Sequence, residues 1–224
     1  MRKRTQVARE EYAIIGLGRF GSALARRLEQ LNHTVLGIDS RPELVQTLAP
    51  EITQAAILDA TNEAALKAVD IAAFETVIVA IGDDFEACLL TTAALKNLGV
   101  KRVISKANNE RQRDILLRVG ADQVVQPEQD GGKRLADELG MPRILERLPL
   151  GLNHSLGEVV VPEWLAYQSL AQCDLRNQYE VMVLLVKRGD ELVVSPPPDY
   201  VLQKGDVLLV LGENEAVTAF GSRS

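Results

Sequence analysis

From Tyr12 onward, short β-branched apolar runs alternate with segments of helical period, the pattern of a parallel sheet covered by helices. The runs predict strands at Tyr12 to Ile15, Val35 to Ile38, Ile52 to Ile57, Thr76 to Ile81, Arg102 to Ser105 and Gln123 to Val125. This succession is the repeat of a doubly wound α/β fold, a Rossmann-like parallel sheet. After the first strand, Phe20, Ala23, Leu24, Leu28 and Leu31 form one apolar stripe, so that helix is amphipathic and faces the sheet. Asp84 to Leu98 leaves almost no polar face and wants cover on two sides. A helix from Glu128 to Leu139 stops at Gly140-Met141-Pro142. Residues 11–140 are therefore expected to form the doubly wound domain, 141–153 a linker, and 154–224 a second, smaller α+β lobe. In that lobe Ser155 to Val161, Val181 to Lys187, Glu191 to Val194 and Val207 to Leu211 read as strands, with helical stretches near Glu163 to Gln172 and Glu213 to Phe220.

Composition narrows the function classes. With 46% hydrophobic and 25% charged residues the chain can bury a core. Its longest unbroken apolar run, Val181 to Val186, is far short of the ~18 to 20 residues a membrane helix needs, so any membrane role is expected to come through a partner. The net charge of −6 and the lack of any basic cluster beyond Arg2-Lys3-Arg4 argue against a nucleic-acid partner. Cys88 and Cys173 are far apart, without metal-type spacing, and read as reduced, packed thiols. The N-terminal stretch lacks the apolar region of a secretory signal, and the expected compartment is the cytoplasm.

The most informative chemistry is Gly16-Leu17-Gly18-Arg19-Phe20-Gly21, a G-x-G-x-x-G between the first strand and the first helix. Gly16 permits the tight turn, Gly18 lets a phosphate approach the backbone, Gly21 allows close packing of helix on strand, and the helix N-terminal amides face a diphosphate. Asp39, followed by Ser40 at the end of the second strand, is placed to accept hydrogen bonds from a ribose diol and to repel a 2'-phosphate, which disfavours NADP. Arg19 in a first helical turn sits at the positive end of the dipole, a cost that an adjacent anion reverses; its guanidinium suits the outer phosphates of ATP or ADP. Other candidates stand at the carboxyl ends of strands, where open α/β sheets bind ligands: Asp59-Ala60-Thr61, Ile81-Gly82-Asp83, Lys106, and Pro127-Glu128. Each has a plainer reading: Asp59 or Thr61 as a helix cap, Lys106 as a solvated cation, Pro127-Glu128 as an ordinary helix start.

An oxidoreductase is the competing class. Its acid-base group would be His33, His154, or Tyr200 with Lys204, a Y-x-x-x-K spacing that requires one helical face. Pro196-Pro197-Pro198 before it and Gly205-Asp206 after it argue against such a helix. A free-standing redox-sensing repressor is not expected either, because only 11 residues precede the first strand.

Taken together, Gly16 to Gly21, Asp39, Asp59-Ala60-Thr61, Ala80 to Asp83, Lys106-Ala107, Gly120-Ala121-Asp122, Pro127-Glu128 and the closing Lys204 to Leu208 resemble the RCK family, cytosolic regulatory subunits of Ktr and Trk potassium uptake systems. The resemblance implies no enzyme but a homo-oligomer, dimers assembled into an octameric ring beneath a membrane channel or transporter subunit, peripheral to the inner face of the membrane. It implies ATP or ADP in the N-terminal lobe, with NAD or NADH as the Trk-type alternative. It places Arg19 on the phosphates and Glu128 near the outer phosphate, in some relatives through Mg2+ or another cation, so that Glu128 is the one expected metal contact. Gln126 stands where many relatives carry His before the Pro-Glu pair. The C-lobe of some relatives binds cyclic di-AMP at its dimer interface, and the apolar Asp84 to Leu98 helix is expected to form an assembly contact.

Overall fold

The computed structural model describes residues 9–140 and 143–222. The chain divides into two units, one running to Asp130 and the other from Gly131. In the first, β1 (Glu11–Ile15), β2 (Thr34–Asp39), β3 (Gln54–Ile57), β4 (Thr76–Val79), β5 (Arg102–Lys106) and β6 (Gln123–Val125) form one sheet in the order β3-β2-β1-β4-β5-β6. Every pairing in it is parallel. The order reverses beside β1, and the loops leaving the strands on either side of that switch point surround a crevice.

The period of two along the strands divides the core. Ala13, Ile15, Leu36, Ile38, Val77 and Val79 belong to one buried cluster, while Ile14, Val35 and Ile78 belong to the other, so both faces are covered. Helix α1 (Arg19–Gln30) packs Phe20, Leu24 and Leu28 of its expected stripe against the second cluster, but its most buried apolar side chain is Ala25, which lies off that stripe, while Ala23 and Leu31, which belong to it, are exposed. α2 (Pro42–Leu48) and α3 (Glu63–Ala68) are short, and Asn62 caps α3 by accepting the Ala64 N–H at 2.9 Å. α4 (Phe85–Asn97), capped by Asp84, buries Cys88, Thr91, Thr92, Ala94 and Leu95 and packs beside α5 (Glu110–Val119). That neighbour supplies the second cover its composition asks for, and leaves Leu90 exposed.

α6 (Pro127–Gly140) begins with proline at its first position and carries the chain across the boundary between the units. Met141 and Pro142 lie outside the described residues, as does the Arg2 to Arg4 cluster. The segment expected to be a linker contributes instead β7 (Ile144–Leu150), an edge strand antiparallel to β8 (His154–Val160). Its weak alternation, interrupted by Glu146, Arg147 and Pro149, hid it; Arg147 fixes it by donating to Ser155 Oγ at 2.9 Å and to the Asn214 carbonyl at 2.8 Å. With β9 (Val181–Arg188), β10 (Glu191–Val194) and β11 (Val207–Glu213) it completes an antiparallel sheet ordered β10-β9-β11-β8-β7. α9 (Asn214–Ser222) covers this sheet with Val217 and Phe220. The single helical stretch expected near Glu163 to Gln172 is a 3-10 turn at Glu163–Leu165, then α7 (Leu170–Cys173) and α8 (Leu175–Tyr179), because Tyr167 and Asp174 adopt left-handed backbone that interrupts a helix.

Candidate functional site

Gly16 turns the chain out of β1 with φ of +95°, and its N–H donates to the Ile38 carbonyl at 2.7 Å. A Cβ on Gly21 would stand 1.9 Å from the Gly16 carbonyl oxygen, so Gly21 is what lets α1 begin against the turn. Gly18 differs: a Cβ there would meet nothing within 4 Å and would project into open space. Gly18 is also the N-cap of α1, without a side-chain cap, and no acidic residue follows in the first turn. The helix thus presents N–H donors that no side chain satisfies.

That open space is a cavity of about 320 Å³ at the carboxyl ends of the strands. Gly16, Gly18, Arg19, Phe20, Asp39, Ser40, Asp59, Ala60, Thr61, Ile81, Gly82, Lys106 and Glu128, all singled out from the sequence, line it; Gly21 does not. Asp59 caps no helix. Its Oδ1 accepts the Thr61 N–H and hydroxyl at 2.9 and 2.7 Å, and these bonds hold its carboxyl below the ordinary range.

Lys106 is not a solvated cation. Its side chain is only 10% exposed and its Nζ donates to Glu128 Oε1 at 2.7 Å. Gly82 leaves it room, since a Cβ there would come within 2.8 Å of the ammonium. The Lys106 hydrogen bond draws the Glu128 carboxyl below its usual pKa against the opposing effect of burial, and the charges of Lys106 and Arg19 add to the shift. Two cations thus flank one carboxylate, an arrangement that favours an anion beside the glycine loop.

Glu128 pairs with Lys106. Its carboxylate is taken by an ammonium, and no group of three or more His, Cys, Asp or Glu side chains able to hold a metal forms among the described residues. The cations at this end of the cavity fit a phosphate group.

Several cavity residues were not singled out from the sequence, Arg41 and Thr91 among them. Arg41, two positions beyond Asp39, donates from Nε to Asp39 Oδ1 at 3.2 Å and from Nη2 to Oδ2 at 3.4 Å. Burial pushes the Asp39 carboxyl up, but the side-chain and backbone hydrogen bonds from Arg41 and the Leu17 N–H outweigh it and leave the pKa lowered. Thr91, fully buried on α4, lines the cavity with a hydroxyl that has no hydrogen-bond partner. Arg41 was legible as a cation beside the acidic residue; a threonine inside an apolar helix gave no signal.

The candidate acid-base residues lie elsewhere, and none lines the cavity. His33 Nδ1 accepts the Glu10 N–H at 3.3 Å, and His154 is exposed on β8. Tyr200 and Lys204 share no helix: the Tyr200 ring packs under Arg188 at 5.2 Å, and Lys204 pairs with Glu163 at 3.0 Å.

Residues 12–127 match the TrkA-N domain and residues 156–223 the TrkA-C domain. The chain belongs to the TrkA-N/TrkA-C, or RCK, family. Among TrkA-N/TrkA-C relatives, the Ktr system potassium uptake protein C of Bacillus subtilis (strain 168) is 37% identical over 215 residues, covering 96% of this chain and 97% of that protein. The Ktr system potassium uptake protein A of Vibrio alginolyticus is 34% identical over 206 residues, covering 92% and 94%. The crystal structure of the GsuK RCK domain superposes with a TM-score of 0.53 at 25% identity, over 94% of this chain and 45% of that one, so this chain spans less than half of the longer molecule.

Proposed function

We propose that this chain is a nucleotide-sensing regulatory subunit of a membrane potassium uptake system, binding ATP or ADP at the Gly16 to Gly21 loop. The observation that carries the reading is the uncapped start of α1, set at a cavity that Arg19 and Lys106 also reach. The names of the Ktr relatives, which match over nearly their whole length, supply the potassium uptake system.

In this reading the nucleotide is an effector and not a substrate. The first-turn amides of α1 hold the diphosphate, and Gly18 lets it approach the backbone. Arg19 takes the outer phosphates. Ala60 and Ile81 supply apolar wall, and Ser40, Thr61 and the carbonyl-bound loop at Gly82 supply polar contacts. The outermost phosphate and the Glu128 carboxylate compete for the one Lys106 ammonium. A ligand shifts a conformational equilibrium only by its differential affinity for the two states. ATP, with one more phosphate than ADP, draws Lys106 away from α6 more strongly, and α6 is the segment that leads into the second unit. The subunit works on the cytoplasmic face of the membrane as a ring of dimers bound to an integral channel or transporter subunit, with the exposed Leu90 side of α4 in an assembly contact.

Calorimetric titration with ATP, ADP, NAD and NADH, alongside particle mass from light scattering, tests this. Adenine mononucleotide binding to a ring-sized particle is expected. Exclusive binding of NAD or NADH to a small oligomer overturns it.

A further inference from the structure

A serine or threonine inside a helix usually spends its hydroxyl on a carbonyl one turn back. Among the described helices Ser22 does so on Arg19 at 3.3 Å, Thr47 on Glu43 at 2.7 Å, Thr92 on Cys88 at 2.8 Å, Thr218 on Asn214 at 2.8 Å and Ser222 on Thr218 at 2.7 Å. Thr91 is the exception: it is fully buried on α4, yet its Oγ1 bonds neither to the Ala87 carbonyl one turn back nor to any other group. Its neighbour Thr92, equally buried, adds a second bond to Ser105 Oγ at 2.8 Å. An unpaired buried hydroxyl destabilises the fold, and a local cost of this kind marks functional sites. Thr91 lines the nucleotide cavity without any exposed surface, so it stands at the closed end. Asp84, Ala87 and Thr91, spaced by three and four residues, turn one stripe of α4 to the cavity. Ile15, Leu58, Ala60 and Ile81, which belong to or pack against the core cluster that α4 covers, line it as well. Apolar walls with a polar atom at the closed end suit a flat heteroaromatic base, apolar on its faces and polar along its edge.

We infer that Thr91 is a specificity-determining residue of the nucleotide site: the purine base enters along the Asp84, Ala87 and Thr91 stripe of α4, and the Thr91 hydroxyl bonds to a polar position on the base edge, directly or through one buried water. A hydroxyl both donates and accepts, so it serves a ring nitrogen or the 6-amino group alike. A buried water bridging such a group is nearly as good a contact as a direct bond. Thr91 is thus unpaired in the free protein and paired in the complex, which makes its hydroxyl a contact that favours the liganded state. The inference rests on the nucleotide reading above and adds to it the side chain that reads the base.

The test is calorimetry of the full chain, wild type and Thr91→Val, with ATP, with its 1-deaza, 3-deaza and 7-deaza analogues, and with purine riboside triphosphate, which remove the polar positions of the base edge one at a time. Valine keeps the shape of threonine without the hydroxyl, so the Tm of Thr91→Val without ligand is expected to equal or exceed that of wild type. Its ATP affinity should nevertheless fall by about three- to tenfold, the loss of one hydrogen bond. The analogue that lacks the bonded position should bind wild type and Thr91→Val equally, closing a mutant cycle on the ligand side. An unchanged ATP affinity, or a loss of the same size for ATP and for every analogue, overturns the inference and leaves the nucleotide reading standing. A Tm lowered by Thr91→Val assigns the side chain to packing and overturns it too. If the wild type does not bind ATP, both fall.

Discussion

Lys106 Nζ stands 2.7 Å from Glu128 Oε1, joining the end of β5 to the first turn of α6 inside the candidate nucleotide cavity. Because the Lys106 side chain is nearly buried while that of Glu128 is 65% exposed, the carboxylate is the partner that can be removed with little structural cost. Glu128→Gln frees the ammonium for a ligand phosphate. ATP affinity without added metal is therefore expected to rise several-fold, about 1 kcal/mol, measured by calorimetry. A weaker affinity would mean that Glu128 itself holds the nucleotide.

Gly18 and Gly21 separate binding from folding. Gly18→Val adds atoms only to the open cavity, so Tm should stay near that of wild type while nucleotide affinity falls by more than about tenfold. Gly21→Ala drives a methyl group to within 1.9 Å of the Gly16 carbonyl oxygen and should lower stability by about 1 to 3 kcal/mol or more, seen as a loss of Tm without ligand. The reverse pattern would contradict the assignment of Gly18 to the ligand.

Much of this arrangement was legible in the chain, for a physical reason. Parallel strands buried on both faces must be continuous apolar runs, and all six were found, with β3 and β4 two residues shorter than expected. The cavity residues were legible because ligand chemistry in this architecture collects at strand ends. What stayed hidden depends on side-chain partners that spacing does not encode. β7 alternates poorly and is secured by Arg147; Lys106 looked solvated until Glu128 was seen beside it; and Arg41 turned the charge balance at Asp39.

In the second unit, Asp206 is buried and accepts hydrogen bonds from Arg188 Nε and Nη2 and from the Gln203 N–H, each at 2.8 Å. Burial raises its pKa, but the Arg188 hydrogen bonds, the Gln203 N–H and the Arg188 charge outweigh it and leave the carboxyl below its ordinary value. A depressed folded-state pKa contributes stability that is present above the unfolded value and lost as pH falls through the folded one. Asp206→Asn should cost about 1.5 to 3 kcal/mol at pH 7. The gap from wild type should narrow below about pH 4. Urea unfolding followed by the fluorescence of Trp164, the single tryptophan and a residue of this unit, measures both. A gap that is constant with pH would rule out the ionised carboxylate as the source.

Leu90 on α4 is 48% exposed, whereas Leu89 packs partly into the first core cluster. Leu90→Glu should therefore reduce particle mass in light scattering with only a small change in Tm, since a surface charge costs the monomer within about 0.5 kcal/mol. An unchanged mass would remove α4 from the assembly contact.

In the proposed function Arg19, in the first turn of an uncapped helix, reads the outer phosphates of an adenine nucleotide. The most direct measurement is calorimetry of ATP and of NAD binding to wild type and to Arg19→Ala. Arg19→Ala is expected to lower ATP affinity by about tenfold or more, corresponding to the loss of a charge-assisted hydrogen bond, with a smaller loss for NAD. Equal losses for the two ligands, or none, would contradict it.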